Sequence, residues 1–129
     1  MKKLISPRIH GVLDYAAGAA FLLAPHLFAF GGTPALICYV IGLVHIGLTL
    51  VTAFPLGALK VVPFLAHRQI EAVVAAVIIA MPWFAGFSSD GKACWFFVAA
   101  GLALLAVVAL TDYRAVENRE GYARPIAHA

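Results

Sequence analysis

His10-Gly11-Val12-Leu13-Asp14, at the mouth of the first long apolar run, sets an imidazole and a carboxylate four residues apart. The same spacing returns as His67-Arg68-Gln69-Ile70-Glu71. Each pair is followed by an apolar stretch, a proline and an aromatic end. These ends read Ala24-Pro25-His26-Leu27-Phe28-Ala29-Phe30 and Met81-Pro82-Trp83-Phe84-Ala85-Gly86-Phe87. One constant offset carries His10 onto His67, Asp14 onto Glu71, Pro25 onto Pro82 and Phe30 onto Phe87 without a gap. A slightly larger offset, absorbing a longer second outer loop, carries Gly42-Leu43 onto Gly101-Leu102 and Thr52 onto Thr111. The chain is a duplication, and the unit duplicated is a pair of helices.

The solvent of those helices follows from composition. Of 129 residues, 64% are apolar and 12% charged, far from the balance of a soluble domain. Tyr15 to Leu23, Ala35 to Phe54, Ile70 to Ala80 and Cys94 to Leu110 carry almost no charge on any face, where a soluble bundle would show a polar stripe. The expected fold is therefore all-α: an integral membrane four-helix bundle built from two tandem two-helix hairpin repeats. An even number of crossings per unit gives the repeats parallel orientation, related by an axis along the bilayer normal. Repeat one spans 6–57, repeat two 63–114, and a polar tail 115–129 follows, all within one membrane domain.

Charge placement gives the sidedness. Lys2, Lys3 and Arg8 precede the first run, Lys60 and Arg68 lie between the second and third, and Arg114, Arg119 and Arg124 follow the fourth; Lys92 alone sits elsewhere. The positive-inside rule then puts both termini of a multi-pass chain in the cytoplasm. No basic groove interleaved with aromatics suggests nucleic acid. The expected partners are the lipid bilayer and a second copy or another membrane protein. Met1-Lys2-Lys3 before an apolar stretch resembles a signal peptide, but Pro7, Asp14 and the later repeat argue for a body element. Cys38 and Cys94 fall at non-equivalent positions and read as free thiols.

Punctuation sets the helix limits. Ser6-Pro7 is an N-cap followed by proline at the first helical position, and Pro25 is expected to end helix one near Leu23. Thr33-Pro34 opens helix two, which runs to about Phe54; Pro63 opens helix three, which Pro82-Trp83 closes. Ser88-Ser89-Asp90-Gly91 is the turn before helix four, expected over Lys92 to Tyr113. Ala72, Ala76 and Ala80 form a small-residue ridge suited to close helix approach in lipid. Trp83 and Trp95 read as interface anchors.

Two hairpins, each with a helix ending in a small residue, proline and an aromatic, resemble the SPW repeat family of small bacterial integral membrane proteins, named for a Ser-Pro-Trp motif. The likeness runs from Ser6 to Tyr113 and rests on Ser6-Pro7, His10-Gly11-Val12-Leu13-Asp14-Tyr15, Thr52 and Thr111-Asp112-Tyr113. The motif itself is reduced to Ala24-Pro25-His26 and Met81-Pro82-Trp83. The resemblance implies a four-helix membrane fold and carries no established activity.

Residues four apart share a helix face, so His10 with Asp14 and His67 with Glu71 form a candidate polar layer. Meeting across the repeat axis, the four would suit a divalent transition metal. A histidine beside an acid is equally a proton relay, and His10 and His67 alone would be haem ligands. Against these stands a simple hydrogen-bonded tie between repeats, within two to three turns of the helix start, where water or headgroups reach. His45, matched by Leu104 in the other repeat, falls outside a symmetric site and is expected to bond a neighbouring helix. No nucleophile and base set, phosphate loop or cofactor signature is recognisable. The expectation is a small polytopic membrane protein of structural or interaction role, not an enzyme, the alternative being a proton- or metal-linked transport or binding module using the layer.

Overall fold

The computed structural model describes residues 3–114; the tail expected at 115–129 lies outside the described residues. Helix α1 spans Pro7–Leu27, α2 Gly32–Leu50, α3 Phe64–Phe84 and α4 Gly91–Leu110. Two-residue strands β1 (Thr52–Ala53) and β2 (Val62–Pro63) pair in parallel and form no sheet core. The helices α2, α3 and α4 are long and apolar enough to cross a membrane. No more than 33% of each apolar span is buried inside the protein, so most of that surface needs an apolar solvent. Helix α1 has the length but carries Arg8 and Asp14. The chain is a helical membrane protein.

Capping explains the helix starts. Ser6 Oγ accepts from the Ile9 N–H at 3.2 Å, and Asp90 Oδ1 from the Ala93 N–H at 3.3 Å. Helix α2 begins two residues before Pro34, with Gly31 at the N-cap and no side-chain cap, so Thr33 does not serve as expected. Both internal prolines lie inside the final helical turns, and the helices run past them to Leu27 and Phe84. Proline removes one donor but does not stop a helix that ends within three residues.

The stop comes from left-handed residues, Ala29 with φ 54° and Gly86 with φ 77°. Phe30 N–H then donates back to Pro25 O at 3.1 Å, and Phe87 N–H to Pro82 O at 2.8 Å, the Schellman closure. Glycine adopts this conformation freely and alanine does not. Ala29→Gly should therefore raise the midpoint of thermal unfolding in detergent, corresponding to roughly 0.5–1 kcal/mol. Gly86→Ala should lower it by a similar amount.

Helices pack most extensively within each hairpin, α1 on α2 and α3 on α4. The crossing points repeat. A Cβ at Gly42 would stand 2.9 Å from Gly18 O, and one at Gly101 2.9 Å from Ala75 O, so each hairpin closes on a bare glycine against the other helix's backbone. The close contact on α3 is at Ala75; of the expected ridge, Ala72 and Ala80 are half-buried and Ala76 is exposed.

Helices α2 and α4 stop at Leu50 and Leu110, short of the expected Phe54 and Tyr113. Extended segments from the other repeat take their terminal carbonyls. Val61 and Val62 N–H donate to Val51 O at 2.8 Å each, and Leu4 and Ile5 N–H to Leu110 O at 3.0 Å each. Thr52 pairs with Val62, and Thr111 bridges Ile5. The segment that starts each hairpin thus clasps the end of the other.

The core has two apolar parts with the polar layer between them. The larger joins Phe21, Phe30, Ile78, Phe87, Phe97 and Leu104; the smaller is Phe54, Phe64 and Tyr113. Both cysteines are free, Cys38 buried and Cys94 half-buried.

Candidate metal centre

The extended clasp delivers a threonine to each histidine. Thr111 Oγ1 lies 2.8 Å from His10 Nδ1, and Thr52 Oγ1 2.8 Å from His67 Nδ1. Each hydroxyl donates its single proton to the helix carbonyl four residues back, Thr111 to Val107 O and Thr52 to Leu48 O, both at 2.6 Å. With that proton committed, the oxygen accepts from imidazole, so Nδ1 of both histidines carries hydrogen. The Nε2 atoms are left to face inward. A metal-ligating histidine is typically held in this way, its Nδ1–H fixed by an oxygen acceptor so that Nε2 is presented to the ion.

The Nε2 atoms meet the carboxylates. His10 Nε2 lies 3.1 Å from Asp14 Oδ2 and 3.2 Å from Glu71 Oε2; His67 Nε2 lies 3.1 Å from Asp14 Oδ2 and 3.6 Å from Glu71 Oε2. Contacts across the helices are as short as those along them, so the structure brings all four expected residues into one cluster. The four donor atoms lie within 4.8 Å of one another. For bonds of about 2.1 Å, the four His-to-carboxylate separations of 3.1–3.6 Å subtend roughly 95–120° at a central ion, bracketing the tetrahedral angle, whereas a 4.8 Å edge exceeds the roughly 4.2 Å that two such bonds span, so the layer draws in slightly on ligation.

The cluster is sealed. His10, Asp14 and His67 are 0% exposed and Glu71 1%, which corrects the expectation that water or headgroups reach them. The reason is the aromatic lid. Phe54 stacks on Phe64 with centroids 5.3 Å apart, Tyr113 lies 4.5 Å from Phe64, and Phe64 and Tyr113 both edge onto His10. Burial raises the Tyr113 hydroxyl above its ordinary pKa, with the Glu71 and Asp14 charges adding to it. The His10 and His67 rings stand 5.5 Å apart with carboxylate oxygens against both, leaving no slot for a macrocycle; the haem reading is set aside.

Sequence reasoning missed one member. His45 on α2 is 5% exposed, and its Nε2 lies 3.7 Å from Asp14 Oδ1 and 4.0 Å from Glu71 Oε1. It faces the layer from a third helix, where a strictly symmetric site would exclude it. The available signal was its standing as the one basic or acidic side chain in α2, at helical spacing from Thr49 and Thr52.

A family model, the SPW repeat domain, matches residues 8–112. The chain belongs to the SPW repeat family. No curated protein and no solved structure matches it. Within this SPW repeat chain the matched span contains His10, Asp14, His45, Thr52, His67, Glu71 and Thr111. The remaining residues with expected roles lie elsewhere: Pro25 and Pro82 are buried in their terminal turns, and Trp83 and Trp95 face outward, 61% and 75% exposed.

The threonines make a test of their own. Changing both Thr52 and Thr111 to valine keeps shape but removes the acceptors that set the Nδ1–H tautomer. Metal affinity in the double variant, measured by competition with a chelating dye, should fall by about 10- to 100-fold, while the helical circular dichroism is retained.

Proposed function

We propose that this is a metal-binding membrane protein whose buried layer holds one divalent transition-metal ion as a tie between the two hairpins. The observation that carries the reading is a concentration of buried polar atoms without hydrogen bonds. His10 Nε2, His67 Nε2, His45 Nε2 and all four oxygens of Asp14 and Glu71 have no hydrogen-bond partner, although several stand at 3.1–3.2 Å from one another. Distance without alignment is what donors aimed at a common centre show, and what a hydrogen-bonded tie avoids. One doubly charged ion with two carboxylates is also electrically neutral, which suits a low-dielectric site.

Protein donors on every side describe a closed centre, the structural rather than the catalytic kind. The reading therefore keeps a structural or interaction role, without enzymatic activity, and makes the metal its instrument. The outward apolar faces suit lipid and a second copy or a membrane-protein partner. Lys3, Arg8, Lys60, Arg68 and Arg114 gather at the layer's end of the helices while Lys92 opens α4, which supports cytoplasmic termini in a bacterial inner membrane.

Elemental analysis of protein purified without chelator, together with its thermal midpoint before and after chelation, tests this. One equivalent of metal per chain and a lower midpoint once it is stripped are expected. A chain that takes up no metal from any first-row divalent salt and melts identically with chelator would overturn the reading in favour of a hydrogen-bonded tie or proton relay.

A further inference from the structure

We infer that His45 is a fifth protein ligand of this centre, making it a three-histidine, two-carboxylate site for an ion that takes five or six nitrogen and oxygen donors, of the iron(II) class rather than four-coordinate zinc. The inference rests on the metal reading above and goes beyond its four residues. Four donors alone leave Asp14 Oδ1, Glu71 Oε1 and His45 Nε2 as buried polar atoms without partners, and these three face one another at 3.7 and 4.0 Å. At bonds of about 2.1 Å such separations correspond to roughly 125° and 145° at a shared ion, angles that a five-coordinate centre contains. An ion shifted toward the His45 side takes the three imidazole nitrogens and at least one oxygen of each carboxylate, and so gives His45 Nε2 the partner that four donors leave it without. Repeat symmetry bears on the same point. The equivalent position on α4 is Leu104, packed in the main apolar core, so an imidazole is not what the packing there requires. Charge is unaffected, because a neutral histidine leaves the neutral ion and carboxylate unit neutral.

Cobalt(II) is the probe, because its visible ligand-field bands intensify as coordination number falls. The full chain in detergent is compared with His45→Leu, which copies the other repeat, and with His45→Gln, which keeps a polar group should the leucine variant fold poorly. The unsubstituted chain should bind one equivalent with weak bands, and X-ray absorption should count at least five near neighbours. Both variants should still bind one equivalent, with stronger, four-coordinate bands, one fewer nitrogen neighbour and affinity about 10- to 100-fold lower. Spectra and affinity unchanged on substitution of His45 would overturn this inference and leave the four-donor centre standing. Failure of the unsubstituted chain to bind cobalt would overturn the metal reading, and this one with it.

Discussion

Glu71→Leu is expected to abolish stoichiometric metal binding and to be among the most destabilising single changes in the chain. The substitution removes the α3 carboxylate and leaves the fully buried Asp14 as the only acid facing His10, His45 and His67. Breaking a buried charged set by removing one member costs about 3–5 kcal/mol, because the remaining charge keeps its desolvation penalty and loses its compensation. Replacing Asp14, Glu71, His10 and His67 together with apolar residues should cost much less, since no ionised group then remains to be desolvated. Reversible unfolding in mixed micelles, run in parallel on the single and quadruple variants, separates the outcomes. A single variant as stable as the parent would contradict the charged centre.

Gly57→Ala should be nearly as damaging, from a residue that touches none of the donors. A Cβ there would overlap the Thr52 carbonyl oxygen, a backbone atom that cannot move without shifting the segment carrying Thr52. That segment is held on every side. Gly57 N–H donates to Phe54 O at 3.0 Å, Lys60 Nζ to Phe54 O at 2.7 Å, and Tyr15 Oη to Leu56 O at 2.9 Å. The expected cost is about 2–4 kcal/mol, with weakened metal affinity as the Thr52 to His67 bond is lost. Gly47→Ala is the control: its Cβ would meet nothing within 4 Å, and replacing glycine inside a helix should stabilise by roughly 0.5–1 kcal/mol. Equal stability for the two variants would contradict the steric account.

The hairpins and the pairing of His10, Asp14, His67 and Glu71 were legible because helical spacing and duplication are both visible in one dimension. A shared offset says that two pairs occupy equivalent places, and a two-helix unit says that the places lie at one depth. The burial was not legible. Phe54, Phe64 and Tyr113 come from three separate segments, and only folding lays Phe64 and Tyr113 over His10 and Phe54 beside Phe64 and His67. His45 was left out of the layer for the opposite reason, since symmetry was taken as a condition of membership, whereas its Nε2 faces Asp14 and Glu71 on the neighbouring helices with no counterpart on α4. Helix ends were displaced by long-range bonds: Thr52 and Thr111 leave their helices because Val62 and Ile5 claim them. Pro25 was overread as a terminator, where the backbone reversal falls four residues later at Ala29.

The clasp by which each hairpin's leading segment grips the end of the other has a consequence for the self-sufficiency of a single hairpin. His10 takes its threonine from the second hairpin and His67 takes its threonine from the first. A lone hairpin therefore holds a histidine whose orienting partner it does not spatially supply, while two identical copies supply one another completely. Such an exchange is the geometry of a self-complementary pair, held here within one chain. His45, present in one half and matched by Leu104 in the other, is a divergence that two identical copies do not permit, because a change in a homodimer is always made twice.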